Sequence, residues 1–134
     1  MSWASPMLEA PSRIDQLITR TRAELPPRPV PADLAGIIAD GGLVIDTRPA
    51  SLRDRDGSLP GAHIIERNVL EWRLDPTGSH RIPALACAEQ VVVVVCDEGY
   101  ASTLAARSLQ ELGLVNATDL DGGFQAWRRH HRRG

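Results

Sequence analysis

Lysine is absent from this chain of 134 residues, and all fifteen basic residues are arginine. Covalent chemistry through an amine side chain, as in Schiff-base enzymes, is thereby excluded. No apolar run approaches the length that spans a bilayer, and the opening stretch MSWASPMLEAPSR has no apolar signal-peptide centre. A cytoplasmic location, away from any membrane, is the resulting expectation. Cysteine is scarce: Cys87 and Cys96 are the two copies, nine positions apart. Without an export signal, reduced thiols are expected rather than a disulfide. Charge of one sign is also lacking, since fifteen basic residues meet seventeen acidic ones. The basic end WRRHHRRG complements a terminal helix dipole, and with no other basic groove nucleic acid is not expected as a partner. The length fits one globular domain with a sizeable core.

Val91 to Ser102 reads VVVVVCDEGYAS and organises the rest. Five valines are too few for a buried helix and too uniformly apolar for a half-exposed strand, so a central parallel strand covered on both faces is expected. Cys96 ends it. Behind the cysteine, Leu104, Ala105, Leu109 and Leu112 have helical spacing that Gly113 closes. A strand, a tight loop and a helix in this order aim backbone N–H groups and the positive end of the helix dipole at the loop's concavity, where an anion is favoured. A cysteine there is a stabilised thiolate and a nucleophile. Gly99 supplies the positive φ that such a loop needs. The bland alternative, a small buried hydrophobe, stays open on position alone.

Taken in order, Ser12 followed by Asp15 resembles a capping box and starts a helix to about Glu24, with Ile14, Leu17, Ile18 and Leu25 on one face. That face is expected to cover the domain rather than form a dimer contact. Pro26, Pro27, Pro29 and Pro31 impose an extended connector. Leu34, Ile37 and Ile38 suggest a second helix, stopped by Gly41 and Gly42. Residues 1–28 thus read as a helical extension with its connector, and 29–134 as the main domain. LVIDTR reads as a strand delivering Asp46 and Arg48 to the rim that holds Cys96. Asp46 is expected to tie down its turn, whereas Arg48 could hold the loop acids or an anionic substrate. GSLPGA is a loop, His63 to Ile65 a short strand, and His63 is expected to be packed rather than catalytic. Asn68 and Glu71 are candidate caps for a short helix carrying Val69, Leu70 and Trp72, and Asp75 to Gly78 a turn. Arg67 and Arg73 bring charge near the crevice. Thr118 to Leu120 is the expected last strand, before a Gly122-Gly123 turn into a helix with Phe124 and Trp127 on one side.

The order LVIDTRP, GSLPGAH, VVVVVCDEGYAS, LDGGFQAW closely resembles the single-domain rhodanese family of sulfurtransferases, over about Pro29 to Arg129. The resemblance implies an α/β fold, a central mostly parallel sheet with helices on both faces, here with the N-terminal helical extension. It also implies that Cys96 carries a persulfide, cradled by the backbone N–H groups of Asp97, Glu98, Gly99, Tyr100, Ala101 and Ser102, with Arg48 and Arg67 as further substrate-binding candidates. No cofactor and no metal are implied. The partners would be a small-molecule or protein persulfide donor and a thiol or cyanide acceptor, for a monomer or weak dimer. Three departures stand out. Ser58 occupies a position where relatives commonly have histidine, and Asp97 and Ala101 stand where the loop often carries arginine. The loop is acidic, so thiosulfate, a dianion, is expected to be a poor donor. Related phosphatases have arginine six residues after the cysteine. Ser102 stands there, against phosphoryl transfer. The rival from another class is a catalytically idle rhodanese-like protein-interaction module.

Overall fold

The computed structural model describes residues 11–133. In chain order its elements are α1 (Arg13–Glu24), a 3-10 turn (Pro31–Asp33), α2 (Leu34–Ala39), β1 (Leu43–Asp46), α3 (Ala50–Asp56), β2 (His63–Ile64), a second 3-10 turn (Arg67–Val69), α4 (Leu70–Arg73), β3 (Val92–Val95), α5 (Ala101–Glu111), β4 (Ala117–Asp119) and α6 (Gly123–Arg133). The four strands form one sheet in the order β2-β1-β3-β4, every pairing parallel. The chain runs outward one way from β1 to β2 and the other way from β3 to β4. The sheet order therefore reverses between β1 and β3, whose carboxyl ends open the crevice in which such sheets bind ligands.

The valine run forms the central strand because its residues have apolar partners on both sides. Val92 and Val94 pack with Leu43, Ile45, Leu70, Leu74, Ala105 and Leu109 on one face, and Val93 and Val95 pack with Leu34, Val44, Leu120 and Phe124 on the other. All four are fully buried, each burial stabilising by about 1.5–3 kcal/mol. Val91 lies outside the strand and is exposed. A sheet covered on both faces is the arrangement that an all-parallel sheet requires.

Ser12 caps α1, its side chain accepting from the Asp15 N–H, while the reciprocal half of a capping box is not formed. The helix lies on α5, with Ile18 and Thr21 buried and Leu25 against the core; Ile14, expected on that face, is exposed. The connector runs along β4: the Thr118 hydroxyl donates to the Pro26 carbonyl and the Asp121 N–H to that of Pro29. Helix α3 has no counterpart in the sequence reading. It is short and charged, with no buried residue, so it carries no apolar periodicity. His63 is exposed and not packed, on the short strand β2 at the edge of the sheet. Asn68 does not cap α4, and Glu71 pairs with Arg67 instead. No helix among the described residues is long and apolar enough to cross a membrane.

Two glycines, each closing a helix or opening one, differ in the space around them. Gly123 has φ +62°, and a Cβ there would lie 2.6 Å from the Gly99 nitrogen and 2.7 Å from the carbonyl oxygens of Asp97 and Cys96. Gly113 also has a positive φ, +93°, but open space around it. Gly113→Ala should therefore cost only the backbone term of about 1–2 kcal/mol, and Gly123→Ala about 3 kcal/mol or more, because the cysteine loop must move as well. Urea midpoints of the two variants would check this ordering, and equal losses would contradict it.

Candidate active site

Cys96 follows β3 at the centre of the sheet, and α5 begins at Ala101. The loop between them bends back at Gly99, whose φ is +89°. This turn brings the N–H groups of Gly99 and Ser102 to 3.2 and 3.3 Å from the Cys96 Sγ, both donating to it. The thiol in turn lies 3.2 Å from the Ser102 hydroxyl oxygen, to which it donates. Two amides at the head of an eleven-residue helix thus point at a single sulfur. Such an arrangement favours negative charge on that sulfur and on a further atom bonded to it.

The loop is fastened on both flanks. The carbonyls of Cys96 and Asp97 accept from the N–H groups of Phe124 and Gln125 in the first turn of α6, at 2.8 and 3.0 Å. Those donors would otherwise lack partners at the helix start. On the other flank stands Asp119, the last residue of β4 and fully buried. Its Oδ2 accepts from the hydroxyls of Ser102 (2.7 Å) and Thr103 (2.9 Å). Its carboxylate also takes Arg28 through Nε and Nη2, at 2.7 and 3.1 Å. The Arg28 pKa is raised: burial works against the cation, but the hydrogen bond and charge of Asp119 and the charges of Asp121 and Cys96 outweigh it. Arg22 of α1 and Arg28 both donate to the Gly99 carbonyl.

The crevice at the sheet switch is a cavity of about 350 Å³. Cys96, Asp97, Glu98, Tyr100, Ala101, Arg48 and Arg67 line it together with Thr47 and Pro49. Gly99 and Ser102 do not line it and meet the site through their N–H contacts with the sulfur. A larger cavity of about 470 Å³ lies beside Cys87 and Val91 at the opposite end of β3. Cys87 is exposed and unpaired there, with a loop and no helix start after it.

The arginines expected on the rim are differently employed. Arg48 is buried, its guanidinium forked onto Asp46 at 2.8–3.3 Å, bonded to the Gly57 carbonyl and stacked 3.5 Å over the Phe124 ring. Asp46 ties down the turn as expected, accepting the Arg48 N–H. Arg67 pairs with Glu71, and Arg73 donates to the His80 carbonyl. Asp97 instead accepts from Gln125, whose amide is shared with Asp56, and Asp56 is flanked by Arg55 and Arg128. Glu98 is exposed. Sequence reasoning missed Arg22, Arg28 and Asp119. A usable signal for Asp119 was a carboxylate ending a strand that must be buried, because a buried charge requires partners from elsewhere in the chain.

These features define a class: α/β proteins with a parallel sheet and one cysteine whose sulfur accepts backbone N–H groups in the loop between a central strand and a helix. The comparisons narrow it. A protein-family model described as "Rhodanese-like domain" matches residues 30–130, and the chain belongs to that family. The sulfurtransferase assignment holds at family level. The maize protein named adenylyltransferase and sulfurtransferase MOCS3-2 is 34% identical over 99 residues, 67% of this chain and 19% of that protein, so the chain spans about a fifth of the length of that relative. A rhodanese homologue from the thermophilic bacterium Thermus thermophilus is 30% identical with TM-score 0.53, over 75% of this chain and 99% of that one. A protein of unknown function from Rhodopseudomonas palustris, described as a possible tyrosine phosphatase, is 26% identical with TM-score 0.77, over 91% of this chain and 93% of that one.

The Asp56 carboxyl is held well below the usual carboxylate range by its hydrogen bond to Arg55, which with Gln125 and the charges of Arg55 and Arg128 outweighs desolvation. A depressed folded-state pKa stabilises above the unfolded value, about 3.9, and the gain is lost as pH falls toward the folded value. Asp56→Asn should therefore unfold at lower urea than wild type at pH 6, and the gap should narrow at about pH 2.5. A gap that stays constant would show that Asp56 acts through packing and not charge.

Proposed function

We propose that the protein is a sulfurtransferase that carries sulfane sulfur as a persulfide on Cys96 and passes it to a thiol or to cyanide. The observation that carries this reading is the pair of N–H groups, from Gly99 and Ser102, that meet at one sulfur atom. The Cys96 thiolate attacks the outer sulfur of the donor. A new S–S bond forms, and the donor's bond to that sulfur breaks with its electron pair on the departing group. The acceptor's anion then attacks the terminal sulfur, and Cys96 leaves as thiolate, stabilised again by the same amides. Two half-reactions at one nucleophile imply ping-pong kinetics. The two free thiols suit a reducing compartment such as the cytoplasm. The description of the Rhodopseudomonas protein as a possible phosphatase is not carried over, because Ser102 stands where phosphoryl transfer would need an arginine clamp.

The test is direct. Incubated with a persulfide donor, wild type and Cys87→Ser should gain one sulfur by intact mass, and Cys96→Ser none. Uptake by Cys96→Ser but not by Cys87→Ser would overturn the assignment. A folded wild type that takes up no sulfur from any donor would favour the idle interaction module.

The charge of the crevice bears on the donor. Arg48 and Arg67 are already paired with Asp46 and Glu71, which leaves Asp97 and Glu98 as the carboxylates lining the cavity without an ion pair of their own, the charge of Arg55 reaching Asp97 only from a distance. A dianion meeting them at a partly exposed site loses about 1 kcal/mol, roughly five-fold in affinity. Thiosulfate is thus the poorer donor, and a low-molecular-weight or protein persulfide the better one. Asp97→Arg should raise kcat/KM for thiosulfate more than for a persulfide, and added salt should shrink the gain. Efficient thiosulfate use by wild type, unchanged in Asp97→Arg, would contradict this account.

A further inference from the structure

The loop that holds Cys96 lacks arginine, since Asp97 and Ala101 occupy the places beside the sulfur. Positive charge nevertheless reaches it from behind, from a part of the chain that the family match at residues 30–130 leaves out. Arg22 on α1 and Arg28 in the connector converge on one backbone atom. Their Nη2 groups lie 2.8 and 3.0 Å from the Gly99 carbonyl oxygen, and both donate to it. Each is independently anchored. Arg22 donates through Nε to the Thr103 hydroxyl at 3.3 Å and lies 5.4 Å over the Tyr100 ring. Arg28 is forked onto buried Asp119 and reaches Asp121 at 3.1 Å.

Gly99 is the one loop residue with positive φ, and its freedom permits the peptide between Gly99 and Tyr100 to rotate. That peptide lies between the two N–H groups that hold sulfur, those of Gly99 and Ser102. Anchoring its carbonyl to two guanidinium groups removes the rotation, and charge-assisted hydrogen bonds are the strong kind. The same two cations stand behind the Cys96 sulfur, and the charge of Cys96 is among the influences that raise the Arg28 pKa.

We propose that Arg22 and Arg28 are positioning residues for the sulfur-carrying loop, so that the N-terminal segment completes the active site by clamping the Gly99 carbonyl. The proposal rests on the reading of Cys96 as the sulfur carrier. The likeness to the Rhodopseudomonas structure covers 91% of this chain, more than residues 30–130 make up, so the shared fold extends into the segment that bears the clamp.

The experiment uses the full chain in a Cys87→Ser background, so that iodoacetamide alkylation at fixed pH reports Cys96 alone. Cys96 is buried, at 9% exposure. Loss of a merely structural contact would open the loop and speed its alkylation, whereas loss of the clamp weakens the thiolate and slows it. Arg22→Ala is expected to slow alkylation about five-fold and to lower kcat for persulfide transfer with KM little changed. Arg22→Lys should recover most of the rate, and Arg20→Ala, exposed on the same helix, should match the background protein. Arg28→Ala strands the buried Asp119, so Arg28→Lys is used for that position, with a slowing expected because a lysine cannot span both Asp119 and Gly99. Folded Arg22→Ala and Arg28→Lys proteins that alkylate as fast as the background protein, or faster, would overturn the clamp. If the alkylation rates fall as stated while wild type takes up no sulfur, the clamp stands and the sulfurtransferase reading fails. If wild type takes up sulfur and both variants behave like it, that reading stands and the clamp fails.

Discussion

The carboxylate of Asp119 is fully buried at the end of β4, and a charge so placed is tolerated only when its lone pairs are used. Four contacts use them, and each comes from a group that the site needs. Ser102 and Thr103 open α5, and Arg28, with two contacts, brings in the connector. Satisfying this one group therefore fixes the start of the helix behind the cysteine and ties residues before the sheet to residues at its far edge. Removing one partner of a buried pair leaves an uncompensated charge and commonly costs about 3–5 kcal/mol. The active-site loop is held by this arrangement as much as by its own turn.

The second fastening is a matter of room. Gly99 in the loop and Gly122 and Gly123 before α6 approach so closely that side chains would collide with backbone at Gly99 and Gly123. The close approach lets the first amides of α6 reach the Cys96 and Asp97 carbonyls. Two helices thus serve one loop in opposite senses. The start of α5 and Gly99 in the loop before it supply one N–H group each to the sulfur, and the start of α6 takes up the carbonyls that face the other way. A loop with its donors on one side and its acceptors engaged on the other is preorganised for an anion.

Charge around the site is distributed unevenly. The mouth of the crevice carries Asp97 and Glu98, and the polar anchor of Asp97 is the neutral amide of Gln125. The cations lie behind the loop, at Arg22 and Arg28. A sulfur atom inside the cradle and a donor approaching from outside therefore meet opposite fields. Under the proposed function this separation would favour a bound persulfide without attracting small dianions, and it follows from placing the arginines in the N-terminal segment and not in the loop.

The valine run, the cysteine after it, the glycine at the turn and the spacing of α5 were legible in the sequence, because each is a local pattern in which neighbouring residues carry the information. The order of four short motifs named the family for the same reason. Helix α3 was not legible, since a short charged helix on the surface has no apolar period. Nor was the partner of each arginine. Arg48 turned inward onto Asp46 and Phe124, while Arg22 and Arg28, unremarkable in a proline-rich lead, arrived at the loop that holds Cys96. The pairings of Arg22 and Arg28 join residues more than seventy positions apart. Their geometry depends on how α1 and the connector pack against α5 and β4, and no local pattern encodes that. By itself the sequence determined the cysteine after the central strand and the turn that presents it, whereas only the tertiary structure decided which charges face the sulfur, because electrostatic contacts are set by distance in space and not along the chain.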